Sequence, residues 1–334
     1  MENTLTIQPV RRNKSITDIP LTVIDQAVST DLHFIQANTI SSTLIDMKTQ
    51  HLIPVFAKDN EPLISSADFI EIAADIVADM FRGETILKPA VRLSHPIKGR
   101  IPDAKDKPAS QLEEWEKTIY FERMAFIIEI PTITDVVSGN RLNLTIGGIK
   151  AYNLDNLYNR KGADEHFKIF IGFQNKVCLN MCVWSDGAMK DLKVTSRGQL
   201  MGCIRSLIQN YNQGHHLLHL KELSNYGLTE QQFAQLIGRS RMYQYLPGTM
   251  KKDIPQLLFG ETQIGNVVRD YYKDDSFCRM VDGSLNLWRL YNLFTSVNKS
   301  TYIDQFLERG VNAFDFAYNI KSALKHKTFN WYLN

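Results

Sequence analysis

The chain has 334 residues, 44% hydrophobic and 22% charged, with 38 Lys+Arg against 36 Asp+Glu for a net charge of +2. This composition excludes a disordered polyelectrolyte. It also argues against wholesale electrostatic wrapping of nucleic acid, while leaving room for a local basic patch. No run approaches the ~20 apolar residues that a membrane helix needs, so no membrane association is expected.

Residues 1–20 read as a flexible lead-in with a small basic cluster at Arg11, Arg12 and Lys14. Residues 1–10 carry an acid and lack an apolar core, so no signal peptide is expected. A short strand is predicted over 52–57. Ser65 or Ser66 then caps a predicted helix over 67–82, which Gly83 ends. Phe69, Ile72, Ala73, Ile76 and Met80 recur on one face of it, and Asp68, Glu71, Asp75 and Asp79 form an outward acidic stripe.

A β-rich section follows: a strand over 90–94, a loop over 95–108, a helical turn near 112–117 and an apolar strand ending at Pro131. Ser138-Gly139-Asn140 permits a hairpin back through 142–149. Strands are predicted over 166–173 and 176–184, and Asp186-Gly187 turns the chain into another over 188–194. From Thr195 the periodicity becomes helical, with segments at 198–212, 217–223, 229–245, 262–273, 285–297, 302–309 and 313–326. Thr229 and Gln232 form a capping-box pattern at the third of these. The expected fold is α+β: an antiparallel meandering sheet with one or two helices, followed by an all-helical C-terminal half. The boundaries fall at 21–194 and 195–334, and the two halves are able to share one core.

No catalytic signature occurs. Cys178, Cys182, Cys203 and Cys278 lack zinc-site spacing, so they read as free thiols of a cytoplasmic protein. His215 and His219 make an i, i+4 metal half-site without a completing carboxylate pattern. Residues 228–246 resemble a helix-turn-helix, with Ala234 and Gly238 at its small and turn positions. Arg239, Gln244 and Pro247 fit that motif poorly, and a capped structural helix fits better. Gly147-Gly148 lacks a phosphate-loop context and marks a bulge or a close backbone approach.

The segment 150–166 is long and polar, the kind of loop on which a sheet scaffold places recognition chemistry. Lys98 and Arg100 on one predicted loop, with Lys150, Tyr152, Asn156, Tyr158, Arg160 and Lys161 on or beside this one, combine cations, rings and hydrogen-bonding edges suited to single-stranded nucleic acid. A polar loop whose tyrosines pack down accounts for the same residues. Asp155, Asp164, Glu165 and His166 flank the loop and offer the carboxylates of a metal-dependent nuclease, although no spacing is diagnostic.

The stretches HFKIFIGFQNKVCLNMCVWSDG, GRSRMYQYLP, KKDIPQLLFG and NLWRLYNLFTSVNKSTYIDQF closely resemble an uncharacterised bacterial family with a domain of unknown function, over roughly residues 33–334. The resemblance implies a setting on conjugative transposons and related mobile elements. Val177-Cys178-Leu179-Asn180 with Trp288, Asn292, Thr295 and Tyr302 is similar, more distantly, to the phage/plasmid-like protein family. Neither family implies an activity or a cofactor. Three functions therefore stand open. One is a non-enzymatic protein that binds or anneals single-stranded nucleic acid, with self-association allowed. The second is a module that engages a host or element-encoded protein, such as an inhibitor of host defence. The third is a metal-dependent nuclease.

Overall fold

A computed structural model describes residues 23–24, 33–50, 64–155 and 164–334. Its strands are β1 (Val23–Ile24), β2 (Ile40–Ser42), β3 (Ile86–Leu87), β4 (Ala90–Leu93), β5 (Pro96–Arg100), β6 (Lys117–Phe121), β7 (Arg123–Val137), β8 (Asn140–Ala151), β9 (Glu165–Asn175), β10 (Met181–Cys182), β11 (Ala188–Val194), β12 (Gly227–Leu228) and β13 (Leu285–Asn286). Its helices are α1 (Leu44–Gln50), α2 (Ser66–Met80), α3 (Tyr152–Asp155), α4 (Arg197–Asn210), α5 (Gln213–Leu223), α6 (Glu230–Tyr245), α7 (Gly248–Lys251), α8 (Glu261–Lys273), α9 (Leu287–Asn298) and α10 (Ile303–His326). The protein is α+β, with a curled antiparallel sheet followed by helices.

The main sheet runs β10-β9-β8-β7-β4-β2, and β11 pairs with β9 beside β10. Strand alternation gives it two apolar faces. Met124, Phe126, Ile128, Leu142, Leu144, Phe167, Ile169 and Ile171 join one large core that includes residues of α2, α4, α5, α6, α8, α9 and the second half of α10. The alternating residues Ala125, Ile127, Ile149 and Phe170 form a smaller cluster with Phe34, Ile35 and the first turns of α10. The large core is thus continuous from the sheet into the helices.

α2 begins where serine chemistry places it: Ser65 and Asp68 exchange the two bonds of a capping box. Thr229 and Gln232 do the same for α6. The hairpin turn holds Ser138 and Gly139 at φ +47° and +78°, a geometry that glycine tolerates best. Gly147 and Gly148 sit in regular register with both neighbouring strands, so the reason for them is close approach and not a bulge. A Cβ at Gly148 would overlap the Phe69 ring, and one at Gly147 would overlap the Phe170 ring.

Several expectations change. The predicted strand over 52–57 lies outside the described residues. The predicted loop over 95–108 begins with strand β5, because pairing with β6 overrides its proline and glycine. The predicted strand over 176–184 is mostly a turn, with only Met181–Cys182 extended. The two predicted helices after Tyr302 are one, α10. α6 runs unbroken through Gly238, so no helix-turn-helix exists there.

Candidate functional site

The most exposed constructed feature is an arm. β4 and β7 pair in a register that β5 and β6 continue, residue 90 opposite 127 through to 100 opposite 117, with a bend at Glu122 between the two ladders. The inner half belongs to the main sheet; the outer half, β5–β6, forms a separate two-stranded ribbon. Ser94 fixes the junction, since its backbone N–H donates to the Arg123 carbonyl at 2.9 Å and its Oγ accepts from the Arg123 N–H at 3.1 Å.

By strand alternation Pro96, Lys98 and Arg100 share one face of the ribbon with Lys117 and Ile119. Lys98 and Ile119 are exposed, Ile119 at 46%. The two strands together hold three cations, Lys98, Arg100 and Lys117, and no acid. Lys98 and Arg100 stand two residues apart, about 6.6 Å along an extended strand.

Residues 101–116 cap the ribbon with three short 3₁₀ turns, of which Glu114–Glu116 is the last. Glu116 is buried, accepting from the Glu113 N–H at 2.9 Å and from the Lys107 ammonium, and these bonds hold its carboxyl below the usual range. Arg100 donates to the Lys107 carbonyl. Between these anchors Trp115 is 71% exposed. The sequence offered no periodic signal for it; its exposure follows from the neighbouring Glu116 turning inward.

The other half of the basic and aromatic constellation is placed differently. Asn156, Tyr158, Arg160 and Lys161 lie outside the described residues. Lys150 is buried: its Nζ lies 2.8 Å from Glu165 Oε2, 3.2 Å from Asp155 Oδ2 and 4.0 Å from the Phe167 ring centroid. Tyr152 is equally buried. As placed, both side chains lie beneath the surface. Lys150 is the counter-charge of a buried carboxylate pair, and removing a buried charge from its partners costs far more than a surface contact returns. Burial holds the Glu165 carboxyl above the usual range, and Lys150 opposes that shift.

The same geometry bears on the carboxylates of the nuclease reading. Asp155 and Glu165 do converge, but the Lys150 ammonium occupies the space between them where a cation would sit. Asp155 also accepts from the His166 N–H at 2.7 Å. Among the described residues, no three His, Cys, Asp or Glu side chains are grouped to hold a metal ion. His215 and His219 lie tilted against each other, ring centroids 4.4 Å apart, and each makes a T-shaped contact with Trp184, while His216 is fully buried with Tyr211 Oη 2.6 Å from its Nδ1. Cys178, Cys182, Cys203 and Cys278 are free.

Most of the residues that carried the more distant resemblance come together at one seam, with Asn180, Trp288, Asn292 and Thr295 buried. Asn175 Nδ2 donates to Asn292 Oδ1 at 3.1 Å, and Asn175 Oδ1 accepts from the Val177 N–H at 3.0 Å. Asn180 Nδ2 donates to the Asn292 carbonyl at 3.0 Å, and Asn292 Nδ2 to the Trp288 carbonyl at 2.9 Å. Trp288 donates to Asn140 at 2.8 Å, and the buried Lys299 ammonium donates to the Cys178 carbonyl. The turn they hold includes Leu179 at φ +57°. This is a seam joining the end of β9 to α9, with Asn175, Asn180 and Asn292 all fully buried. Tyr302 stays apart, 64% exposed at the start of α10.

Fold and arrangement define an α+β protein with a polar-locked seam and a separate two-stranded ribbon whose strands carry cations and no acid. The chain belongs to the DUF3871 family, described as "Domain of unknown function, B. Theta Gene description", whose sequence profile matches residues 20–333. No curated protein and no solved structure matches it. No helix among the described residues is long and apolar enough to cross a membrane.

Proposed function

We propose that this protein binds single-stranded nucleic acid without catalysis, through the cationic face of the β5–β6 ribbon. The observation that supports this best is exposed Lys98 sharing one ribbon face with Arg100 and Lys117, on strands that themselves carry no acid. Their spacing of about 6.6 Å along the strand is comparable to the step between phosphates of an extended single strand. Ile119 between them offers an apolar contact to a base. Arg160 and Lys161, from the sequence, are the further candidates for the same ligand. The resemblance of the seam residues to phage/plasmid-like proteins supports an accessory role on a mobile element, and four free thiols suit a cytoplasmic setting.

Fluorescence anisotropy of a labelled single-stranded oligonucleotide tests this. The full chain is expected to bind with an affinity that falls steeply as salt rises. Absence of salt-sensitive binding to both DNA and RNA strands would overturn the proposal and favour a module that engages a protein.

A further inference from the structure

The arm is electrically divided. Its strands, 96–100 and 117–121, carry three cations and no acid. Its cap, 101–116, carries five acids (Asp103, Asp106, Glu113, Glu114 and Glu116) against Lys105 and Lys107. The strands are therefore at +3 and the cap at −3, and the arm as a whole is neutral. Glu116 is turned inward, but Asp103, Asp106, Glu113 and Glu114 are all exposed. The cap also presents Trp115 and the strand face presents Ile119, both well exposed.

We infer that the cap of one copy of this chain docks on the strand face of a second copy, the two arms lying antiparallel about a twofold axis. A twofold contact requires a surface complementary to itself, and an arm whose cationic strand face runs into an acidic cap satisfies that requirement when two arms lie antiparallel. Trp115 then faces Lys98 and Arg100 as a cation–π partner, and Glu113 and Glu114 meet the cations of the facing strands. The existing Glu114–Lys117 pair, 2.7 Å and solvent-exposed, is a weak surface bridge that exchanges readily.

Size sets the strength. Five residues of strand extend about 17 Å, and a two-stranded face of that length is well below the ~800 Å² per partner of a stable interface. The dimer is accordingly weak and salt-sensitive. It covers the same Lys98, Arg100 and Lys117 proposed to hold nucleic acid, so the acidic cap masks that face until a strand displaces it. The self-association stands without the nucleic-acid reading; only the masking rests on it.

Light scattering and sedimentation of the full chain without nucleic acid decide the first part. A concentration-dependent shift from monomer to dimer is expected at low salt and its loss at high salt. Charge reversal in the cap, E113K/E114K, or on the strands, K98E/R100E, is expected to leave monomers. An equimolar mixture of the two variants restores the dimer, because each then offers the surface that the other lacks. A wild-type monomer at every concentration, or a mixture that fails to pair, overturns the inference. Adding a single-stranded oligonucleotide to the wild-type dimer tests masking separately: dissociation supports it, and an oligonucleotide that binds while leaving the dimer intact contradicts it.

Discussion

The seam between β9 and α9 and the β5–β6 arm are opposites. The seam gathers many of the residues most distinctive in the sequence, and its three asparagines, Trp288 and Lys299 are buried and hydrogen-bonded. The arm is built from a stretch the sequence hardly marks, yet it displays cations and a tryptophan to solvent. A distinctive pattern can therefore record a packing problem, here how to bury three asparagines and a lysine, instead of a binding surface. Buried polar groups must be fully paired, which demands particular residues; a surface arm demands only charge and exposure.

The comparison can be broken most strongly at the core. His216 is fully buried and its pKa falls to about 3, because burial disfavours the charged ring and His219 and His215 add to the effect. The unfolded chain takes up the proton below its ordinary value of 6.5 and the folded chain does not. Stability is therefore fully present above pH 6.5 and is lost as pH falls through the window down to about 3, by up to roughly 5 kcal/mol. Urea unfolding across that window is expected to show a shallower acid limb for His216→Gln. An unchanged limb would assign the acid sensitivity elsewhere.

Next comes the seam itself. Asn292→Ala leaves the Asn175 amide without its acceptor and opens the α9 contact, with an expected loss of about 2–4 kcal/mol in chemical denaturation. A loss within about 0.5 kcal/mol would show that the network is not holding the halves together. Gly148→Ala forces the new methyl against Phe69, and a somewhat smaller loss of about 1–3 kcal/mol is expected. The smallest stability effect belongs to the arm: K98A/R100A is expected to unfold within about 0.5 kcal/mol of wild type. A larger destabilisation would mean these side chains are part of the fold.

Local chemistry made much of the architecture legible. Ser65 and Thr229 announce their helices through capping boxes, and the Ser138-Gly139-Asn140 turn announces its hairpin, because the interactions lie within a few residues. The misses depend on partners distant in sequence. Lys150 looks like a surface cation until Glu165 folds beside it. Val177, Cys178 and Leu179 look like strand until Asn175 and Asn180 take hydrogen bonds from the turn and to α9. β5 looks like loop until β6, seventeen residues on, supplies its register. Lys98 and Arg100 are visible in the sequence as candidates, whereas Trp115 is not, since no hydrophobic periodicity shows that Glu116 is the residue of that turn held inward.

The most direct test compares the two regions in one assay, oligonucleotide anisotropy at a temperature where all variants are folded. K98A/R100A is expected to bind roughly tenfold more weakly, with a salt slope shallower by about 1.4 for two lost phosphate contacts, while Asn292→Ala binds as wild type. Equal binding by K98A/R100A and wild type, or selective loss in Asn292→Ala, would contradict the division of the molecule into a structural seam and a binding arm.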